Sequence, residues 1–233
     1  MKNKVELLGY YGDDLIHACS AWTSTSRELT EEKIQRVPKL LKMLAQEGHH
    51  TPFEKSSLHF LVTVDQATHI HLLKHRIGVS INGESARYKE LKEDKFYLPE
   101  DWKNIRVNRE TTFEKNKDLH WWLHLTDNKN SDWLQLLEEY TKLGNSLYHQ
   151  CLEDLTPILG RKRAKESARF FKTFNSQITM DVMFNWRSFA HFQQLRNSEH
   201  AQIEVRELAQ MMLESVRSIE GNPFEHTIQA FGL

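Results

Sequence analysis

Between Lys74 and Tyr88 the chain reads Lys-His-Arg-Ile-Gly-Val-Ser-Ile-Asn-Gly-Glu-Ser-Ala-Arg-Tyr. Two cations flank a histidine, two glycines sit among Ser, Asn, Glu and Ser, and a further Arg follows. Cations and hydroxyls donate to phosphate oxygens, while a carboxylate or carboxamide accepts from a base or sugar. The composition predicts a loop, bracketed by Gly78 and Gly83, suited to an anionic, nucleotide-like ligand. A solvated polar loop has the same composition.

Three further groups have chemistry in their spacing. His71 and His75 stand four apart, the separation of two zinc ligands on one helix face. No Glu completes an HExxH pattern and no third ligand is evident, so no metal is expected. Arg161 to Arg169 is a basic run. It reads as a solvated helix start, as a nucleic-acid patch, or as a segment whose Arg169 alone turns inward to a phosphate. Lastly, Asn185 to Gln202 places Arg187, His191 and Leu195 on one helical stripe, with Asn185, Phe189, Phe192 and Arg196 beside it. Polar groups among aromatics are costly to bury without partners. This face lines a site, meets a subunit partner or stays exposed.

Strands and helices must hold these groups. Strands are expected over Val5–Leu8, Leu58–Val64 and Gln177–Phe184, where β-branched and apolar residues concentrate. Helices are expected over Leu15–Trp22, capped by Asp13 or Asp14, and from Glu31 to Gly48, with Pro38 kinking the run or shifting its start. Others are expected from Asp65 to about Arg76, over Asp132–Leu152, as a turn or two at Lys165–Phe171, over Asn185–Gln194 and over Ala201–Val216. The 132–152 helix is amphipathic, with Trp133, Leu136, Leu137, Tyr140, Leu143, Leu147 and Cys151 on one side. Residues 101–130 are polar and weakly periodic, a candidate surface insertion or lid. One mixed α/β domain accounts for the pattern.

The 233 residues suffice for a real core. With 31 basic and 32 acidic residues the charge is near balance, which argues against broad coating of nucleic acid. Two distant cysteines give no disulfide framework, and a reducing, cytoplasmic setting is expected. The first fifteen residues lack a signal-peptide pattern, and no apolar run is long enough to span a bilayer.

Together the polar blocks resemble those of the flavin-dependent thymidylate synthases. The family's Arg-His-Arg, seven residues, Ser signature has its counterpart in Lys74-His75-Arg76, eight residues, Ser85. Gly48-His49-His50-Thr51-Pro52-Phe53-Glu54 resembles the Gly-His-x-Thr-Pro-Phe-Glu block. Asn185-x-Arg187-Ser188 with Leu195-Arg196-x-x-x-His200-Ala201-Gln202 resembles the C-terminal block, and Leu15–Ser24 the first helix. The blocks keep the family's order over roughly residues 5–100 and 160–220. The resemblance implies an α/β domain with a central, mostly antiparallel sheet flanked by long helices, assembled as a homotetramer with active sites shared between subunits. It implies FAD contacts from Ser24, His49, Thr51, Lys74, His75, Arg76, Glu84, Asn185, Arg187, His191 and His200. It implies dUMP contacts from His71, Lys74, Glu84, Ser85, Ala86, Arg87, Arg169 and Arg196. The implied reaction is reductive methylation of dUMP at C5, with carbon from methylenetetrahydrofolate and reducing power from NADPH, and Arg196 as the catalytic residue. The departures from the family pattern are Lys74 for the first Arg, one added residue between Arg76 and Ser80, Gly83-Glu84 where the family usually has Glu followed by a variable residue, and His71 and His191 for a common Gln and a common Asn. They leave two alternatives, a 5-hydroxymethyl product or a flavin- or nucleotide-binding protein without turnover.

Overall fold

The computed structural model describes residues 1–108 and 132–233. They divide into two compact units, residues 3–84 with 177–233, and residues 1–2 with 85–176. In chain order the elements are β1 (Lys4–Tyr11), α1 (Asp14–Trp22), α2 (Glu31–Gln35), α3 (Val37–Gln46), β2 (Ser57–Asp65), α4 (Gln66–Leu72) and β3 (Val79–Gly83). They continue with α5 (Trp133–Leu159), α6 (Arg161–Ala168), β4 (Gln177–Asn185), α7 (Trp186–Arg196), α8 (Ile203–Arg217) and α9 (Glu225–Ala230).

The larger unit is built on a four-stranded antiparallel sheet of order β1-β2-β4-β3. Alternation along β2 and β4 sends Leu58, Phe60, Val62 and Val64, and Ile178, Met180, Val182 and Phe184, to one face. That face packs on Trp186, Phe189 and Phe192 of α7 and on Val205, Leu208, Ala209 and Met212 of α8. The helices start where short acceptors satisfy free N–H groups. Asp13 accepts from Ile16 N at 2.7 Å, Asp65 from Thr68 N at 2.9 Å and Asn185 from Ser188 N at 2.9 Å. Pro38 falls in the first turn of α3, so the run expected as one helix divides at Arg36 into α2 and α3.

Two local expectations are corrected. The polar segment at 74–88 is not one loop, because Val79–Gly83 forms an edge strand whose Ile81 pairs with Val182 and whose Asn82 pairs with Asp181. The helix expected to reach Arg76 ends at Leu72, where His75 N turns back to Leu72 O at 2.9 Å. His71 and His75 therefore do not share a regular helix face.

The smaller unit is built on the 27-residue helix α5, which packs on α6 and on a 3-10 turn at Arg169–Phe171. Its buried face holds Leu136, Thr141, Gly144, Asn145, Tyr148 and Leu152, whereas Tyr140, Leu143 and Leu147 of the apolar side are exposed. Gly144 explains the choice of face: a Cβ there would stand 2.6 Å from the carbonyl oxygen of Phe171, so the helix backbone itself approaches the turn. Lys172 ties the connecting loop down, donating to Asn145 Oδ1 at 2.8 Å and Asp94 Oδ1 at 2.5 Å. Its ammonium also lies 4.5 Å from the centre of the Tyr148 ring. Most of the insertion expected at 101–130 lies outside the described residues. Among the described residues no helix is long and apolar enough to cross a membrane.

Candidate active site

A cavity of about 490 Å³ opens in the larger unit, within the range of roughly 300–1,000 Å³ usual for small-molecule sites. One wall is the turn after α4, with Lys74, His75, Arg76 and Ile77, continued by Val79 of β3. The opposite wall is α7, which presents Arg187, Ser188, His191, Gln194, Leu195 and Arg196. The stripe Arg187, His191, Leu195 expected from helical spacing is thus a cavity wall. Phe189 and Phe192, one turn of the helix away, are fully buried in the core and fix its rotation. His50 and Phe231 close one end, their ring centres 5.5 Å apart.

Gly78 makes the close approach of the two walls possible. It adopts a φ of +64°, and a Cβ there would lie 2.3 Å from Asn185 Nδ2 and 2.5 Å from Ser188 Oγ. The turn is held from both sides: Ser188 Oγ donates to Ile77 O at 2.6 Å, and Asn185 N donates to Gly78 O at 2.9 Å.

Charge in the cavity is one-sided. Lys74, Arg76, Arg187 and Arg196 line it, and among the described residues no carboxylate does. Glu54, outside the lining, accepts from Arg187 Nη1 at 2.6 Å. Arg196 Nε donates to His75 Nε2 at 3.1 Å. Burial, with the charges of Arg196, His191 and His71 added, lowers the His75 pKa to about 4, so its ring is neutral at pH 7. His71 Nε2 lies 3.0 Å from Gln202 Oε1. Among the described residues no group of three or more His, Cys, Asp or Glu side chains is placed to hold a metal ion.

Of the residues expected from sequence, Lys74, His75, Arg76, Arg187, His191 and Arg196 line this cavity, and Asn185 supports it from below. Ser24, His49, Thr51, His71, Glu84 and His200 belong to the same unit without lining it. The Glu84 carboxylate accepts from Thr179 N at 3.0 Å, closing the end of the β3–β4 pair. His50, Ile77, Val79, Ser188 and Phe231 were not singled out from sequence. All but Phe231 stand inside the quoted sequence blocks, without having been named as contacts. In the smaller unit Ala86 is buried and Arg169 exposed. Ser85 Oγ accepts from Arg87 N at 3.3 Å, and Arg87 Nε donates to Glu166 Oε1 at 2.9 Å. That hydrogen bond from Arg87 holds the Glu166 carboxyl below its ordinary pKa.

The donor set fits a phosphorylated ligand with a planar ring: separated cations, a neutral imidazole and apolar surface from Ile77, Val79, Leu195 and Phe231. Comparison with known proteins agrees. A flavin-dependent thymidylate synthase of Kosmotoga olearia is 31% identical over 210 residues, covering 89% of this chain and 82% of that one. Another, from Pseudothermotoga lettingae, is 30% identical over 217 residues, covering 92% and 85%. The crystal structure of a UMP/dUMP methylase, PolB of Streptomyces cacaoi bound with 5-Br dUMP, shares the fold with a TM-score of 0.74 at 24% identity, over 99% of this chain and 94% of that one. Residues 6–220 match the model of the thymidylate synthase complementing protein family. With matches of this extent, the chain belongs to that family, the flavin-dependent thymidylate synthases.

Proposed function

We propose that this protein methylates dUMP at C5 in the cytoplasm, with FAD as cofactor, methylenetetrahydrofolate as carbon donor and NADPH as reductant. In the overall reaction C5 of the pyrimidine loses its proton and gains the one-carbon unit and a hydride, giving dTMP. The observation that carries the reading is the cavity lining that joins Arg196, fixed on His75, to Lys74, Arg76 and Arg187, with no carboxylate among the described lining residues. When bound, the flavin supplies the redox step that no side chain here can perform. The chain's residues bind and polarise. Lys74, Arg76 and Arg187 attract phosphate, Arg187 as a fork already braced by Glu54. The Arg196 guanidinium stabilises negative charge as it develops on the pyrimidine ring. Ile77, Leu195 and Phe231 exclude water from a planar ring. The contacts implied for Ser24, His49, Thr51, Glu84, Asn185, His191 and His200 to the flavin, and for His71, Ser85, Ala86, Arg87 and Arg169 to dUMP, are part of the same proposal. The apolar stripe left exposed on α5 supports self-association into the homotetramer of the proposal.

The test is direct. Purified protein is expected to be yellow and to release tritium from C5-labelled dUMP when folate and NADPH are added. A colourless protein that leaves the C5 label in place would sink the reading. Lys74 and His191, two departures from the family pattern, both line the cavity and favour examining a 5-hydroxymethyl product. Product analysis with labelled folate carbon separates it from dTMP.

A further inference from the structure

We infer that His75 is a positioning residue for Arg196, and that its task is to accept one guanidinium N–H and thereby aim the rest of the fork into the cavity. The inference rests on the functional reading given above for Arg196, and it gives His75 work beyond a flavin contact.

An arginine side chain has donors only, so the short contact from Arg196 Nε to His75 Nε2 requires a lone pair on that imidazole nitrogen. The ring is therefore neutral and carries its proton on Nδ1. Its plane is fixed by packing: the His75 ring meets Phe192 edge-on, at 5.1 Å between centres and 83° between planes, and Phe192 is fully buried. Arg196 and Phe192 lie four apart on α7, so one helix carries both the guanidinium and the aromatic surface that orients its acceptor. The groups facing the imidazole make its neutral form the stable one. His71 comes from α4, and His191 and Arg196 from α7; Lys74, Arg76 and Arg187 line the same cavity, Arg187 paired with Glu54. No carboxylate among the lining residues offsets a proton on His75.

A free arginine at a helix end samples many rotamers, and ordering it on ligand arrival costs binding energy. With Nε engaged beforehand, the two terminal nitrogens remain for the ligand in one orientation, the condition under which fixed donors stabilise developing charge most. The helix C-terminus, where Arg196 sits in the last turn of α7, favours a cation but does not choose its direction. The imidazole does.

The experiment has two parts. In the holoenzyme, nitrogen NMR of His75 is expected to show a neutral ring protonated on Nδ1 at pH 7, with a titration midpoint that rises in Arg196→Ala. In dUMP-dependent turnover, His75→Ala is expected to lower kcat by roughly tenfold to a hundredfold, as small misplacements of a catalytic group do. His75→Gln, whose carboxamide oxygen still accepts, should recover to within about threefold of wild type. In an Arg196→Ala background, His75→Ala should add less than about twofold, because the two act as one unit. A ring protonated on Nε2, or full multiplicative losses in the double variant, would overturn the inference. If the wild-type protein shows no dUMP-dependent turnover, the functional reading fails by itself, while the NMR tautomer still decides whether His75 accepts from Arg196. Circular dichroism of each variant separates loss of position from loss of fold.

Discussion

Arg196 has five N–H donors, and one of them is already committed to His75. What remains is a planar cation pointing into a cavity that holds no counter-charge among its lining residues. Removing it should leave binding surface but no stabilisation of charge on the pyrimidine. Arg196→Ala is therefore expected to cut turnover by about 100-fold or more at saturating dUMP; wild-type turnover in that variant would exclude the role. Gly78 offers a second test at the same scale. At a φ of +64°, with Asn185 Nδ2 2.3 Å from where a Cβ would sit, Gly78→Ala must either distort the turn or push the α7 cap away. It should cost on the order of 1–3 kcal/mol in urea unfolding and weaken flavin retention together. Unchanged stability would mean the turn is not held as described. Residue identity was legible in sequence where a motif spelled it, as at His75, Arg187 and Arg196. It was not legible at His50 and His49, adjacent and chemically equal. Only the turn after α3 decides that His50 packs beside Phe231 while His49 faces solvent. Phe231 caps the C-terminal end of α9, a short helix that no pattern marked.

Elements were easier to find than to orient. The strands β2 and β4 follow from their alternation, and α7 from its cap and spacing. The polar segment after Gly78 hid β3, because an edge strand with one solvated face needs few apolar residues, and Val79 and Ile81 suffice. Helix α5 shows the opposite failure. Its apolar side was legible, yet Tyr140, Leu143 and Leu147 on that side are 56%, 48% and 42% exposed. Periodicity reports that a helix has an apolar face and cannot say which protein surface covers it. Gly144 and Asn145 take the intramolecular face because close backbone approach needs small side chains. The exposed stripe then calls for a second copy. Wild-type protein is expected to sediment at a multiple of 27.6 kDa. Leu143→Asp with Leu147→Asp should shift it towards the monomer with helix content retained, since two charges in an apolar contact are costly. A monomeric wild type would refute this use of α5.

At the scale of the whole molecule, the larger unit is locked by a buried polar chain that spans its sequence. His17, fully buried, sits between Ser56 Oγ at 2.7 Å and Thr227 Oγ1 at 2.9 Å. Asp14 in turn accepts from His226 N and Thr227 N, both at 2.8 Å, and from the Thr227 hydroxyl at 2.5 Å. Residues at the start of the chain thus hold its last helix, the one that brings Phe231 to the cavity. Burial lowers the His17 pKa to about 4 from an ordinary value near 6.5. The folded state keeps this ring neutral while the unfolded chain protonates it. Stability is therefore complete above pH 6.5 and falls as the pH drops towards 4, by roughly 3 kcal/mol across that window. His75, only half-buried, adds in the same direction and by less. Asp14 works the other way: burial raises its carboxyl, so protonation in the folded state offsets part of the loss. Urea midpoints measured at pH 7.5, 6 and 5 should decline in that order. His17→Gln, which can keep one of the two hydrogen bonds without a titrating ring, should start lower and decline less. Should the wild-type midpoint hold constant from pH 7.5 to 5, the His17 ring is not the desolvated, neutral link between α1 and α9 that the buried contacts require.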